Sequence, residues 1–137
     1  MISILIQLRS MQLYAHHAHN LCARIVFMQD HEFFGDAYGV YETDYDGVIE
    51  RIIGTKGDDG LELSSILLAV SSKLKEPMIG VKENKVFYTK LLSMENELRI
   101  LIGQEIKAGV SEGTRQMLGD ICDRSEVRCY KIQQRLK

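Results

Sequence analysis

Apolar residues recur three and four positions apart along nearly the whole chain, which is the spacing of one buried face of an α-helix. The second predicted helix shows this best, because its positions step by 4, 3, 4, 3, 4, 3 and 4. They are Phe27, His31, Phe34, Tyr38, Tyr41, Tyr45, Val48 and Ile52. Only one proline, Pro77, interrupts the sequence, so the pattern predicts an all-α protein.

The same spacing divides the chain into four long helices and one short helix. The first helix is predicted over about Ile2–Cys22, and the second helix, described above, ends near Gly54. The other three are predicted over about Leu61–Leu74, Glu83–Ala108, and Ser111 or Thr114 to Arg135. Glycines follow the second helix and separate the last two, and Pro77 stops the short one. Two tight turns and one long connection are typical of a ferritin-like four-helix bundle, with a short extra helix between the second and third long helices.

Length, charge and cysteine usage narrow the class of protein. The 137 residues suit a single domain, residues 1–137, with one continuous core. The formal net charge of -2, without a dense Lys or Arg run, excludes general attraction to nucleic acid or anionic membranes. No stretch approaches the ~20 apolar residues that cross a bilayer, and no signal-peptide cleavage site follows the apolar start. Three cysteines without CxxC spacing predict reduced thiols and a cytoplasmic location.

Two histidines lie symmetrically about the first predicted turn. His19 is near the end of the first helix and His31 near the start of the second, so an antiparallel hairpin brings both imidazoles together. Asp46 and Glu50, four residues apart, share a face of the second helix. Nitrogen and oxygen ligands together favour iron, manganese or zinc. Taken singly, a histidine on an apolar seam is more often a core residue, and acidic pairs are common on solvated faces.

The two halves of this candidate site are too far apart to bind one metal ion within a chain. His31 and Asp46 are fifteen residues apart, or roughly 22 Å along one helix. Fifteen steps of about 100° still leave them on faces that differ by only roughly 60°. A two-fold axis through the middle of the helix would bring His19 and His31 of one subunit against Asp46 and Glu50 of its neighbour. This hypothesis predicts that an isolated monomer binds metal poorly.

The segment HNLCARIVFMQDHEFFGDAYGVYETDYDGVIERIIG resembles the characteristic segment of the Dps family, miniature ferritins that protect bacterial cells from iron and peroxide. The positions that match the family's inter-subunit ferroxidase ligands and their neighbours are His19, His31, Asp46, Glu50, Arg51 and Gly54. The resemblance covers nearly the whole chain in helix order. It implies an iron-binding and iron-storing protein that protects against oxidative stress. Fe(II) would be oxidised by peroxide or dioxygen at a di-iron-type site and mineralised inside a dodecameric homo-oligomer.

Three positions depart from the family pattern. Asn20 stands where tryptophan usually follows the first histidine, and Arg24 replaces a glycine of the connecting turn. Gly35 stands where a further carboxylate ligand is usual, and Asp36 is one position away. Because a helix turns about 100° per residue, Asp36 becomes a metal ligand only if the helix bulges or a water bridges the gap. An alternative function is therefore a ferritin-like shell or interaction protein with weakened or lost ferroxidase activity.

Several other polar and aromatic residues can be interpreted in two ways, as functional or as structural. A DNA-compacting protein is another alternative, but without a basic N-terminal extension its only candidate cations are Lys131, Arg135 and Lys137. The tyrosines of the second helix are core residues, or one of them traps radicals beside iron. The acidic residues of the last helix either line pores that admit iron or form a solvated face; they are Glu112, Asp120, Asp123 and Glu126. His16 and His17 are expected to face solvent or pack at an interface.

Overall fold

The computed structural model describes residues 1–137 and contains five helices and no strands, which confirms the all-α prediction. The helices are α1 (Ile2–Leu21), α2 (Phe27–Lys56), α3 (Leu63–Lys73), α4 (Lys85–Ala108) and α5 (Glu112–Leu136). None of them combines the length and the apolar character that crossing a membrane requires.

The helix ends follow the local backbone chemistry. α2 continues through Gly54 to Lys56, two residues beyond the predicted end, because the glycine that adopts a left-handed φ of 79° is Gly57. Its N–H donates to the carbonyl of Ile53. α5 begins as predicted, since the Ser111 side chain accepts a hydrogen bond from the N–H of Thr114.

Contacts between the long helices define their directions. α1 runs antiparallel to α4, because the Met1 ammonium group contacts Glu105 at 2.8 Å and Gln7 donates to the Met94 carbonyl at 2.9 Å. α2 runs antiparallel to α5, as shown by the pairs Asp30–Arg135 and Asp44–Arg124. α2 and α4 run parallel, as shown by the pairs Asp30–Tyr88 and Tyr41–Glu95. The connection between α2 and α4 must therefore return along the bundle.

The core contains 25 buried residues, drawn from all five helices and from Cys22 in the α1–α2 turn. The predicted stripe of α1 is buried throughout: Ile4, Leu5, Leu8, Met11 and Tyr14. α3, within the long connection, packs through Ile66 and Val70. In α2 the seam is buried from Tyr41 onward, but its first half remains partly open around His31 and Tyr38. That opening exposes the predicted histidine pair.

Candidate metal centre

His19 and His31 come together across the α1–α2 turn. Their rings are stacked, with centroids 3.6 Å apart and an angle of 22° between the planes. The Nδ1 of His19 is 2.7 Å from the carbonyl oxygen of His31, and the Nδ1 of His31 is 2.8 Å from the carbonyl oxygen of His19. The pair is thus hydrogen-bonded reciprocally through its own backbone.

These hydrogen bonds define the protonation pattern of the two rings. A carbonyl oxygen only accepts, so each Nδ1 must carry the proton and donate it. In the neutral form, each Nε2 then keeps a lone pair that no protein group uses. A backbone carbonyl on one ring nitrogen is the usual support for a histidine that binds metal through the other.

Aromatic side chains extend the stack on both sides. Phe27 stacks on His31 at 4.8 Å between centroids, and Tyr38 meets His19 edge-on at 5.5 Å. The exposed His16 stacks on Tyr38 at 4.2 Å, so it packs against the site, whereas the exposed His17 has no ring partner. Of the three tyrosines predicted for the core, Tyr41 and Tyr45 are buried, and half-buried Tyr38 lines the histidine pair instead.

Gly35 lies against the His19 ring. A Cβ added at residue 35 would be 3.1 Å from both Cε1 and Nδ1 of His19, so the ring would have to move by a few tenths of an ångström. The absence of a side chain at this position therefore permits the stacked arrangement. The glycine at position 35, which departs from the family pattern, is thus the same residue that lets the His19 ring pack closely here.

Asp36 is not brought to the histidine pair. α2 is a continuous α-helix through residues 35 and 36, without the bulge that would redirect the Asp36 carboxylate. Its exposed side chain instead lines grooves between α2 and α5, together with Asp123, Arg124 and Lys131. The direct ligand set within one chain is limited to the two imidazoles.

Asp46 and Glu50 lie on the exposed surface of α2, one helical turn apart. Neither carboxylate forms a hydrogen bond or an ion pair within the chain. The uninterrupted helix keeps Asp46 roughly 22 Å from His31 along its axis. No group of three or more His, Cys, Asp or Glu side chains that could hold a metal ion forms within the single chain.

Three arginines of α5 pair with carboxylates buried in the bundle, an arrangement that the sequence analysis missed. We call them the arginine ladder: Arg124 with Asp44, Arg128 with Glu95, and Arg135 with Asp30. A signal was present, because Asp30 and Asp44 are in register with the buried positions Phe34, Ala37, Tyr41 and Val48. A charge at a core position predicts a buried partner.

The three carboxylates of the arginine ladder differ in how completely they are hydrogen-bonded. Burial raises the pKa of Asp30, but hydrogen bonds from Arg135, Tyr88 and Asn84 outweigh burial and hold that pKa below its usual value. Burial also raises the pKa of Asp44, and here Arg124 compensates only in part, since Asp44 Oδ2 is buried without a partner. Glu95 is fully buried and accepts hydrogen bonds from Tyr41, Ser125 and Arg128.

The exposed acidic residues of α5 make only local contacts. Glu112 lies 4.0 Å from Arg115, and Asp120, Asp123 and Glu126 form no ion pair within the chain. Of the cations considered for DNA, Arg135 is engaged by Asp30, whereas Lys131 and Lys137 are exposed and unpaired.

Comparison with models of protein families and with curated proteins finds no match to the chain.

Proposed function

We propose that the chain is a Dps-like ferritin that binds Fe(II) between two copies of itself, oxidises it and stores the product inside a closed homo-oligomer. The observation that carries this proposal is the reciprocal bonding of His19 and His31. Two adjacent imidazoles with both Nδ1 atoms engaged are prepared to bind a metal ion through Nε2. Iron, manganese and zinc all accept such ligands, and iron is the substrate that the resemblance implies.

The directions of the helices support a ferritin-like fold. Antiparallel hairpins formed by α1–α2 and α4–α5, joined by one long connection between the parallel helices α2 and α4, give the single-crossover arrangement of ferritin-like bundles.

The bundle interior favours a site between chains over a site within one. Di-iron proteins of this architecture bind metal inside the bundle through several inward carboxylates. Here each buried carboxylate is already paired with an arginine of the ladder. The unpaired candidate ligands are at the surface, where a second copy would supply what the first lacks.

In the proposed site each residue has a simple role. His19 and His31 bind Fe(II) through Nε2, while Asp46 and Glu50 of the partner subunit balance the charge that rises on oxidation. With peroxide as oxidant, two Fe(II) ions lose one electron each, and the peroxide takes both electrons and two protons to form water. Phe27 packs against the His31 ring and Tyr38 against the His19 ring, which supports the orientation of both imidazoles.

A second candidate is a ferritin-like shell or interaction protein with weak oxidation. Gly35 and the orientation of Asp36 toward α5 favour it, because they remove a carboxylate from beside the histidines. Metal content of the purified oligomer separates the candidates. DNA compaction has weaker support, since Arg135 is committed to Asp30.

The decisive experiment is Fe(II) oxidation by the purified oligomer, after its assembled mass has been measured. We expect oxidation faster than in buffer, and loss of that gain in the double variant His31→Ala/Asp46→Asn. The matched control is His17→Ala/Asp58→Asn, which removes the same residue types away from the site. Unchanged oxidation in the first variant, with helix content preserved by circular dichroism, would show that these residues are not the ferroxidase ligands.

A further inference from the structure

A cationic cleft lies at the end of the bundle where α2 and α4 begin. It has a volume of about 370 Å³ and lies between the α1–α2 turn, the segment that precedes α4 and the end of α5. Four basic residues line it, Arg24, Lys82, Lys85 and Arg135, against a single acidic residue, Glu83. In a chain whose formal net charge is -2, this is a local concentration of positive charge.

Most of this positive charge is uncompensated. Arg24, Lys82 and Lys85 form no ion pair within the chain. Arg135 uses Nε and Nη2 to bind Asp30, which leaves the N–H groups of its Nη1 without a carboxylate partner. The cleft therefore offers three unpaired cations and the free Nη1 of Arg135, with Glu83 as its only acidic lining residue.

The walls of the cleft are fastened together. Buried Asn84 accepts a hydrogen bond from the N–H of Ala23 at 3.0 Å and donates to the Ala23 carbonyl at 2.8 Å. It also donates to Asp30, which in turn holds Arg135 in a two-bond fork. One connected network thus fixes the turn, the start of α4 and the end of α5, so the cleft and the Arg135 guanidinium are in place before any ligand arrives.

Arg24 has an unusual backbone. Its φ of 76° makes it the only non-glycine residue in the left-handed region, where a glycine would avoid steric cost. The strained conformation is maintained at the one position of the turn that contributes a guanidinium group to the cleft. Such strain, where the surroundings enforce it, is characteristic of ligand-binding positions.

We propose that this cleft binds the phosphate group of a small molecule, either orthophosphate or a phosphate monoester. Guanidinium groups match the geometry of phosphate oxygens, and a phosphate dianion balances several cations better than a single carboxylate does. The cleft volume of about 370 Å³ exceeds that of a phosphate ion, which leaves room for an organic substituent. The site is separate from the histidine pair and does not depend on the proposed iron chemistry.

The test is titration calorimetry of the full oligomer with orthophosphate, glucose 6-phosphate and glucose at constant ionic strength. We expect saturable binding of one or both phosphates, one per chain, and none of glucose. Lys82→Gln/Lys85→Gln should weaken binding by about tenfold or more. Lys56→Gln/Lys107→Gln makes the same change of charge at the opposite end of the bundle and should leave binding unchanged.

Arg24→Gly separates ligand binding from folding. It relieves the backbone strain while removing one cation, so the thermal midpoint without phosphate should rise while phosphate binding weakens. No saturable phosphate binding in the wild type would overturn the proposal, as would equal weakening in both lysine double variants. Binding of duplex DNA that requires Lys82 and Lys85, without binding of either small phosphate, would also overturn it.

Discussion

His19 and His31 each donate a hydrogen bond from Nδ1 to the backbone carbonyl of the other residue, across the α1–α2 turn. The same four groups therefore close the hairpin and orient both imidazoles. A side chain that pressed against either ring would strain these hydrogen bonds. A Cβ added at Gly35 would make such a contact with the His19 ring.

Gly35→Ala should weaken metal binding while leaving the protein folded. The new Cβ would be 3.1 Å from the His19 ring and would displace it, although alanine favours the helix by about 1 kcal/mol. Titration with Zn²⁺ or Fe²⁺ measures the first effect and urea unfolding the second. Gly39→Ala is the matched control, since nothing lies within 4 Å of its Cβ position. Equal metal affinity in the two variants would contradict this role for Gly35.

Mixing two inactive variants should restore part of the ferroxidase activity. In an oligomer that is unfolded and reassembled from equal amounts of His31→Ala and Asp46→Asn chains, about a quarter of the inter-subunit sites would keep both residues intact. We expect Fe(II) oxidation near that fraction of the wild-type gain. Reassembly of each variant alone is the control. If the mixture is as inactive as its components, the site does not combine residues from two chains.

Arg128→Ala should destabilise the fold by about 3–5 kcal/mol, because it leaves Glu95 buried and unpaired. The double variant Glu95→Leu/Arg128→Met should recover part of that loss, since it removes both charges but leaves the hydroxyls of Tyr41 and Ser125 without their acceptor. Urea unfolding measures both. Arg115→Ala, which removes a surface partner of Glu112, should have no measurable effect. If the double variant were as unstable as Arg128→Ala, unpaired charge would not be the cause.

Stability should fall in acid partly through Asp30. Its folded pKa lies below the usual value, so its contribution is complete above an ordinary carboxyl pKa of about 3.9 and is lost as pH falls through the folded pKa. Arg135→Gln removes the fork that opposes burial, so this acid-dependent loss should become smaller. Thermal midpoints between about pH 2 and pH 7 test the prediction. Identical pH profiles for the two proteins would contradict it.

Local sequence patterns were sufficient to predict the helices and the meeting of His19 with His31, because three- and four-residue spacing and distance from a turn depend on neighbours along the chain. The predicted end of α2 is two residues too early, because glycines recur three residues apart at Gly54, Gly57 and Gly60. Only the folded structure determines which of them ends the helix. The ladder was missed because its partners are up to 105 residues apart.

The close contact between Gly35 and the His19 ring could not be predicted from the sequence for a similar reason. The position of Gly35 four residues after His31 could be read directly, but its contact with His19 depends on how closely α1 and α2 approach. The approach of two helices is set by packing over their whole length. The relation of the histidines to Asp46 and Glu50 of another copy remains a prediction.

The arginine ladder also has a consequence for biosynthesis. All three arginines lie in α5, which is synthesised after the helices that carry Asp30, Asp44 and Glu95. Until α5 emerges, the nascent chain cannot bury these carboxylates without leaving their charges unpaired. The bundle therefore closes only after α5 has emerged, and a messenger truncated within α5 should yield an open chain that is prone to degradation.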